Sequence, residues 1–231
     1  MRLVTWNCCR GDCTKKVSLL DSWRPDIAVI QECAKPLVQS DHCLWFGDNP
    51  NSGLAVRSSN AYQLRALPVV PEAPKYVIPI EVTGPTEFVL FAVWTLGEKP
   101  HPYVRAASRA VELYRDLIER RPTVLIGDFN SNAIWDSDHP AEMNHSALVQ
   151  QLERLDLVSA YHHARKETHG FEREPTFYFQ WNRAKPFHID YCFVPRAWAP
   201  RIKRVDVGSF DGWSSHSDHR PLLVDIVDSI V

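Results

Sequence analysis

Short apolar runs, rich in β-branched and aromatic residues and stopped by proline, glycine or a charge, recur along the whole chain and limit its fold more than any other feature. They read "RLVTW" (2–6), "DIAVIQ" (26–31), "CLWFG" (43–47), "GLAVR" (53–57), "KYVIPIEV" (75–82), "EFVLFAVW" (87–94), "TVLIG" (123–127), "FHIDYCFV" (187–194), "IKRVDV" (202–207) and "PLLVDIV" (221–227). Each is predicted to be a strand. Three segments have helical spacing instead: one opened by Thr14 with Leu19, Leu20 and Trp23 turned inward, Tyr103 to Arg121, and Glu142 to Leu157. Ten strands against three helices are too many for a simple doubly wound sheet. Because "DIAVI" and "TVLIG" are apolar on both faces, they need cover on both, so the pattern predicts two sheets face to face with helices outside them.

The 231 residues fit one α/β domain spanning 1–231, and 45% hydrophobic with 23% charged residues is ordinary globular material. No apolar stretch approaches the ~20 residues of a membrane helix, and "MRLVTWNCCR" lacks the apolar core of a secretory signal. The expectation is a cytoplasmic protein with no membrane partner. Six cysteines are too sparse for a disulfide scaffold, so free thiols are expected, and "CCRGDC" (8–13) lacks the ligand pairs of a zinc knuckle. A formal net charge of −2 argues against a broad basic face, leaving only local patches such as "RIKR" (201–204).

The acids fall at strand ends. "DIAVIQE" runs out into Glu32, "TVLIGDFN" into Asp128 and Asn130, and "RLVTWN" into Asn7, whereas Asp218 and His219 precede their strand. On its own "SDH" reads more readily as a solvated turn than as a site. If that last strand runs antiparallel to its neighbours, however, its entrance and their exits share one sheet edge. Asp190 lies inside "HIDYCFV", where a buried carboxylate is costly without a donor or cation, and His219 would supply one. Oxygen donors in this number suit Mg²⁺, or Mn²⁺, better than zinc. Phosphoester hydrolysis is the chemistry that needs a metal, a positioned water and fixed donors together.

These segments resemble the endonuclease/exonuclease/phosphatase superfamily, which includes DNase-I-like and exonuclease-III-like enzymes. The resemblance rests on "TWNC" (5–8), "RPDIAVIQE" (24–32), "SGLAV" (52–56), "VLIGDFN" (124–130), "EPTFYF" (174–179), "HIDYCFV" (188–194) and "SDHRPLLVDI" (217–226), in that order. It implies a four-layered α/β sandwich of two mixed sheets flanked by helices. By the same resemblance Glu32 would be the principal Mg²⁺ ligand, with Asn7 beside it and Asp218 acting directly or through water. Asp128 would orient or deprotonate the attacking water, Asn130 would bond the scissile phosphate, and His219, steadied by Asp190, would stabilise the transition state or accept a proton.

One position departs from the pattern. Many relatives carry a His or Tyr where this chain has Thr95, whose hydroxyl is no general acid near neutral pH. His101, Tyr103 or Arg105 could reach in from the next loop, or simply occupy a loop and a solvated helix face. "WNRAKP" (181–186) is the other open patch: Trp181 and Arg183 could grip a nucleotide, or cover the core edge and face solvent. The sequence thus predicts a Mg²⁺-dependent phosphodiesterase with a nucleic acid partner, DNA first, as endonuclease or exonuclease. A phosphatase or small-molecule or lipid phosphodiesterase is the alternative, and a silent binding module, supported by Thr95 alone, is the third reading.

Overall fold

The computed structural model describes residues 1–11, 13–36 and 39–227. Along the chain the strands are β1 (Arg2–Asn7), β2 (Ile27–Cys33), β3 (Cys43–Asn49), β4 (Ser52–Ser58), β5 (Gln63–Ala66), β6 (Val77–Thr83), β7 (Phe88–Trp94), β8 (Thr123–Asp128), β9 (Leu157–Ser159), β10 (Phe177–Tyr178), β11 (Pro186–Phe187), β12 (Asp190–Pro195), β13 (Ile202–Val207) and β14 (Leu222–Ile226). They form two six-stranded sheets, β13-β14-β1-β2-β4-β3 and β5-β6-β7-β8-β12-β9, and a small β10-β11 ribbon. Both sheets are mixed: β1 runs parallel to β2 and β7 parallel to β8, while the remaining pairs are antiparallel. The helices are α1 (Cys13–Leu20), α2 (Val104–Leu113), α3 (Arg115–Arg120), α4 (His145–Glu153), α5 (Ala160–Arg165) and α6 (Phe210–Trp213).

Alternation along each strand sorts the side chains into layers. Leu3, Val29, Val56 and Val224 of one sheet meet Ile80, Leu90, Ile126 and Cys192 of the other in the central core. On the far face of the second sheet, Phe91, Leu125, Tyr191 and Phe193 are covered by Ala107 and Val111 of α2 and Leu148 and Leu152 of α4. On the far face of the first, Val4, Trp6 and Ile30 lie under Val17 and Leu20 of α1 and Trp213 of α6. The result is the four-layered α/β sandwich that the two-faced apolar runs require.

Several local expectations shift for identifiable reasons. The Tyr103–Arg121 helix breaks at Tyr114, whose backbone leaves the helical region as its ring packs on Phe91 and its hydroxyl accepts from Val70 N at 3.0 Å. "FHIDYCFV" is split between two strands, Phe187 ending β11 and β12 beginning at Asp190, and at the break Ile189 N and Asp190 N both donate to Thr176 Oγ1 at 3.0 Å each. The Glu142–Leu157 segment shortens to α4, with Asn144 capping it through a 2.9 Å bond from Ala147 N. Thr14 lies inside the first turn of α1 and not at its cap. Cys8, Cys9, Cys43 and Cys192 are free thiols, but Cys33 is disulfide-bonded, which corrects the expectation for that residue; the Cys13 side chain lies outside the described part. Among the described residues no helix is long and apolar enough to cross a membrane.

Candidate active site

β14 is antiparallel to β1, with Leu222 opposite Thr5, so the segment entering β14 lies at the edge where β1 ends. Trp6 Nε1 donates to His219 O at 3.2 Å, and Ser217 Oγ donates to Asn7 O at 2.7 Å while accepting from His219 N at 2.9 Å. These bonds fasten the entrance of the last strand to the exit of the first. They explain why a charged pair stands at the mouth of a buried strand.

On the second sheet, β8 and β12 place Asp128 directly opposite Asp190. Both carboxylates are fully buried. Two like charges in such a pair repel, and burial disfavours their charged forms, so a third group has to offset them. His219 does so: its Nδ1 lies 2.9 Å from Asp190 Oδ2 and its Nε2 3.9 Å from Asp128 Oδ2. Burial pulls the imidazole pKa down, but Asp190 and then Asp128 outweigh it and hold His219 at about 9. Asp128, by contrast, is pushed well above the usual carboxylate range, first by burial and then by the charge on Asp190. Phe177 packs on the imidazole with ring centroids 4.6 Å apart, which closes its other side to water.

Glu32 reaches this cluster through a backbone irregularity. Strand parity would send it outward with Ala28 and Ile30, whose side chains lie in the outer core under α1. Between Ile30 and Cys33 the β2–β4 register slips by one residue, and Glu32 adopts a positive φ of 56°. The bulge turns its carboxylate toward the other acids. Asn7 Nδ2 then donates both to Glu32 Oε1, at 3.2 Å, and to Asp128 Oδ2, at 3.0 Å, while Asn7 Oδ1 accepts from Cys9 N at 3.0 Å. Asp218 and Glu32 both lie near Cys9: burial and then their charges push its thiol up to about 11. Arg10 Nε sits 3.4 Å from Glu32 Oε2.

The exit of β8 is equally fixed. Gly127, at φ 153°, has no room for a side chain, since an added Cβ would lie 1.9 Å from Val93 O. Beyond it Asn130, also at positive φ, donates its backbone N–H to Asp128 Oδ1 at 2.9 Å and its Nδ2 to Asp128 Oδ2 at 3.1 Å and Thr95 O at 2.9 Å. Both amide hydrogens of Asn130 are therefore in use, so a bond to phosphate requires one of these to be released.

Asn7, Glu32, Asp128, Asn130, Asp190, Asp218 and His219 thus lie at one edge of the sandwich. Thr95 is near them but serves the backbone: it is buried, and its hydroxyl donates to Phe129 O at 2.5 Å. His101 lies beyond Thr95 on a cavity of about 550 Å³ that both residues line, with Lys75, Lys99 and Arg109. Tyr103 is about half exposed, at 46%, its ring lying over Gly97, and Arg105 is half-buried at the start of α2. Among the described residues no hydrogen bond or ion pair links these three side chains to the acids. Trp181 stands exposed in the loop that joins β10 to β11, where Gln180 and Trp181 are two consecutive positive-φ residues. Arg183 pairs with Asp211 at 3.4 Å and lies over the Phe210 ring.

Three contributors carry no signal of their own in the sequence. Thr176, within "EPTFYF", fixes the backbone of Asp190, and Ser217, within "SDHR", fixes that of His219. Arg220 is fully buried between the Tyr178 and Phe210 rings, and its Nη1 donates to Ser217 O at 2.7 Å and His219 O at 2.9 Å. A further cavity of about 430 Å³ opens beside Asn130, walled by Trp135, Phe177, Phe179 and Phe187 with Lys185 at its side.

The acids fit a hard divalent cation. Glu32, Asp128, Asp190 and Asp218 outnumber the cations near them, and Asp190 Oδ1 is buried with no hydrogen-bond partner.

Comparison with solved structures finds the same fold in the 3′–5′ exonuclease NExo from Neisseria meningitidis, with a TM-score of 0.73, 22% identity and coverage of 98% of this chain and 99% of that one. The 3′ phosphatase NExo from Neisseria bound to product DNA hairpin gives the same figures, TM-score 0.73 and 22% identity over 98% and 99% of the two chains. The AP endonuclease LMAP from Leishmania major aligns with a TM-score of 0.70 and 14% identity over 96% of this chain and 86% of that one. The comparison with curated proteins yields no significant match. The sequence profile of the Endonuclease/Exonuclease/phosphatase family matches residues 4–219. By that match, and by a sandwich whose acids meet at one edge, the chain belongs to the endonuclease/exonuclease/phosphatase family.

Proposed function

We propose that this protein is a divalent-metal-dependent phosphodiesterase acting on nucleic acid, with DNA as the first substrate class. The observation that carries the reading is the buried Asp128–Asp190 pair with His219 across it, beside the Glu32 carboxylate. Glu32 and Asp218, with Asn7 between Glu32 and Asp128, would hold Mg²⁺ or Mn²⁺, which when bound would neutralise phosphoryl oxygens and polarise the ester. Asp128, oriented by three donors and raised in pKa, is suited to hold a water and take its proton. His219, kept cationic by Asp190, is suited to meet a phosphoryl oxygen as negative charge grows on it. Asn130 gives up one of its bonds to donate to the same group.

The neighbouring cavity supports a nucleotide over a small phosphoester. Aromatic walls beside a phosphate site accept a sugar or base by stacking, and Lys185 adds a cation for the strand. Trp181 and Arg183 extend that surface outward. His101, Tyr103 and Arg105 flank the other side, where Thr95 supplies no acid, so protonation of the leaving group falls to water or to His219.

Incubation of the purified chain with plasmid, linear and 3′-phosphorylated DNA, RNA, inositol phosphates and phospholipids, each with Mg²⁺, Mn²⁺ or EDTA, tests this. Metal-dependent DNA cleavage is expected. Turnover of phosphomonoesters alone would move the protein to the phosphatase reading, and silence on every substrate would favour a binding module.

A further inference from the structure

A second cluster of metal-binding side chains lies outside the active site. His162 on α5 and His169 and Glu172 in the loop that follows present ligand atoms that all lie within 4.8 Å of one another. His162 Nε2 is 3.0 Å from Glu172 Oε1. The His162 and His169 rings stack with centroids 3.5 Å apart, and His145 Nε2 is 3.0 Å from His169 Nδ1. His188, fully buried, bonds Glu174 O through Nδ1 and leaves Nε2 with no hydrogen-bond partner. Imidazoles crowded in this way cannot all carry charge, and the neutral ring is the form that ligates a metal.

The surroundings are built as ligand supports are built. His162 Nδ1 pairs with Ser159 Oγ at 2.7 Å, fixing the ring so that Nε2 faces Glu172. Glu172 accepts from Gly170 N and Asn132 Nδ2, each at 3.1 Å to both oxygens. A cavity of about 430 Å³, lined by His162, His169, Glu153 and Glu167, gives a path from solvent. Two imidazoles and a carboxylate, with a fourth position open to a cavity, form a donor set for zinc and not for magnesium. Ligands about 2.0–2.1 Å from a tetrahedral centre lie about 3.4 Å apart, so the 3.0 Å His162–Glu172 pair has to open slightly around the ion, and no ligand pair starts more than 4.8 Å apart.

We infer that His162, His169 and Glu172 form a transition-metal site, selective for Zn²⁺, that is separate from the acidic active site and braces it. Asn132 makes the connection: besides holding Glu172, its Nδ2 donates to His188 O at 2.8 Å. It therefore ties the site to the segments that carry Asn130 and Asp190.

The test uses the full chain stripped with chelator, titrated with Zn²⁺ by calorimetry and with Co²⁺ by visible absorption. One equivalent with a tetrahedral Co²⁺ spectrum is expected, unchanged in Glu32→Ala. His169→Gln and Glu172→Gln should lower affinity about 100-fold or more, and Ser159→Ala about 10- to 100-fold. Circular dichroism verifies that each variant folds, and His163→Gln is the control. Absence of uptake by the wild-type chain, a non-tetrahedral spectrum, or uptake lost in Glu32→Ala but kept in folded His169→Gln would overturn the inference.

Discussion

Asp128 and Asp190 oppose each other directly across β8 and β12, both shielded from solvent, and the imidazole of His219 is the only basic side chain among the described residues that bonds or ion-pairs with either. Asp190→Asn keeps the shape but removes the charge that holds His219 cationic. Turnover should fall roughly 10²- to 10⁴-fold, the range for losing one acid–base or electrostatic group, and His219→Ala should fall as far. Because both changes break one unit, the double variant should be little worse than either, and steady-state kinetics on all three checks this.

The same arrangement sets a pH dependence. A histidine raised to about 9 contributes stability that is complete below its ordinary value, about 6.5, and is lost as pH rises through the folded value. Asp128, whose raised pKa favours the protonated form in the fold, acts in the same direction at lower pH. The melting temperature of the metal-free protein should therefore drop between pH 7 and pH 10. His219→Gln should flatten that drop, as calorimetry across the range will reveal.

Glu32 is held at a φ that non-glycine residues pay about 1 kcal/mol or more to adopt. Glu32→Gly should leave the fold as stable as before, or about 1 kcal/mol more so, while abolishing metal-dependent turnover. Denaturant melts beside activity assays separate the two effects. A large loss of stability would mean that the carboxylate holds the bulge in place.

Thr176→Val preserves volume but deprives two buried backbone N–H groups of their acceptor. A loss of about 1–3 kcal/mol in unfolding free energy is expected, with a lower kcat as Asp190 and His219 lose alignment. Thr176→Ser should restore both.

Phe179→Ala and Lys185→Ala alter the cavity beside Asn130 without touching the acids. Stacking on an aromatic ring contributes about 1–3 kcal/mol per base, so Phe179→Ala should raise KM for DNA roughly 5- to 100-fold with kcat nearly unchanged. Lys185→Ala should weaken the salt dependence of binding. Equal KM values in all forms would place the strand elsewhere.

Much of this architecture was legible because burial on two faces leaves a plain mark: "DIAVI" and "TVLIG" could sit only inside a layered sandwich, and they became β2 and β8. The pairing of Asp190 with His219 was legible too, since a carboxylate at a core-facing strand position needs a partner. Strand parity could not foresee the bulge at Glu32, which depends on pairing with β4, a contact between segments. Thr176, Ser217 and Arg220 escaped for a related reason: threonine, serine and arginine are common everywhere, and only tertiary placement turns them into supports. The short elements β5, β9, β10, β11, α5 and α6 have too few residues to show a period, and Tyr114 breaks a helix that the apolar spacing alone would continue.

The arrangement of β1 beside β14 has a temporal implication. A growing polypeptide has Asn7, Glu32 and Asp128 in hand early, but the imidazole and Asp218 emerge 212 and 211 positions after Asn7, together with the strand that pins them. Synthesis must pass residue 226 before the pocket can close. Every polypeptide that stops short of that strand lacks the imidazole, Asp218 and the bonds that hold them at the end of β1.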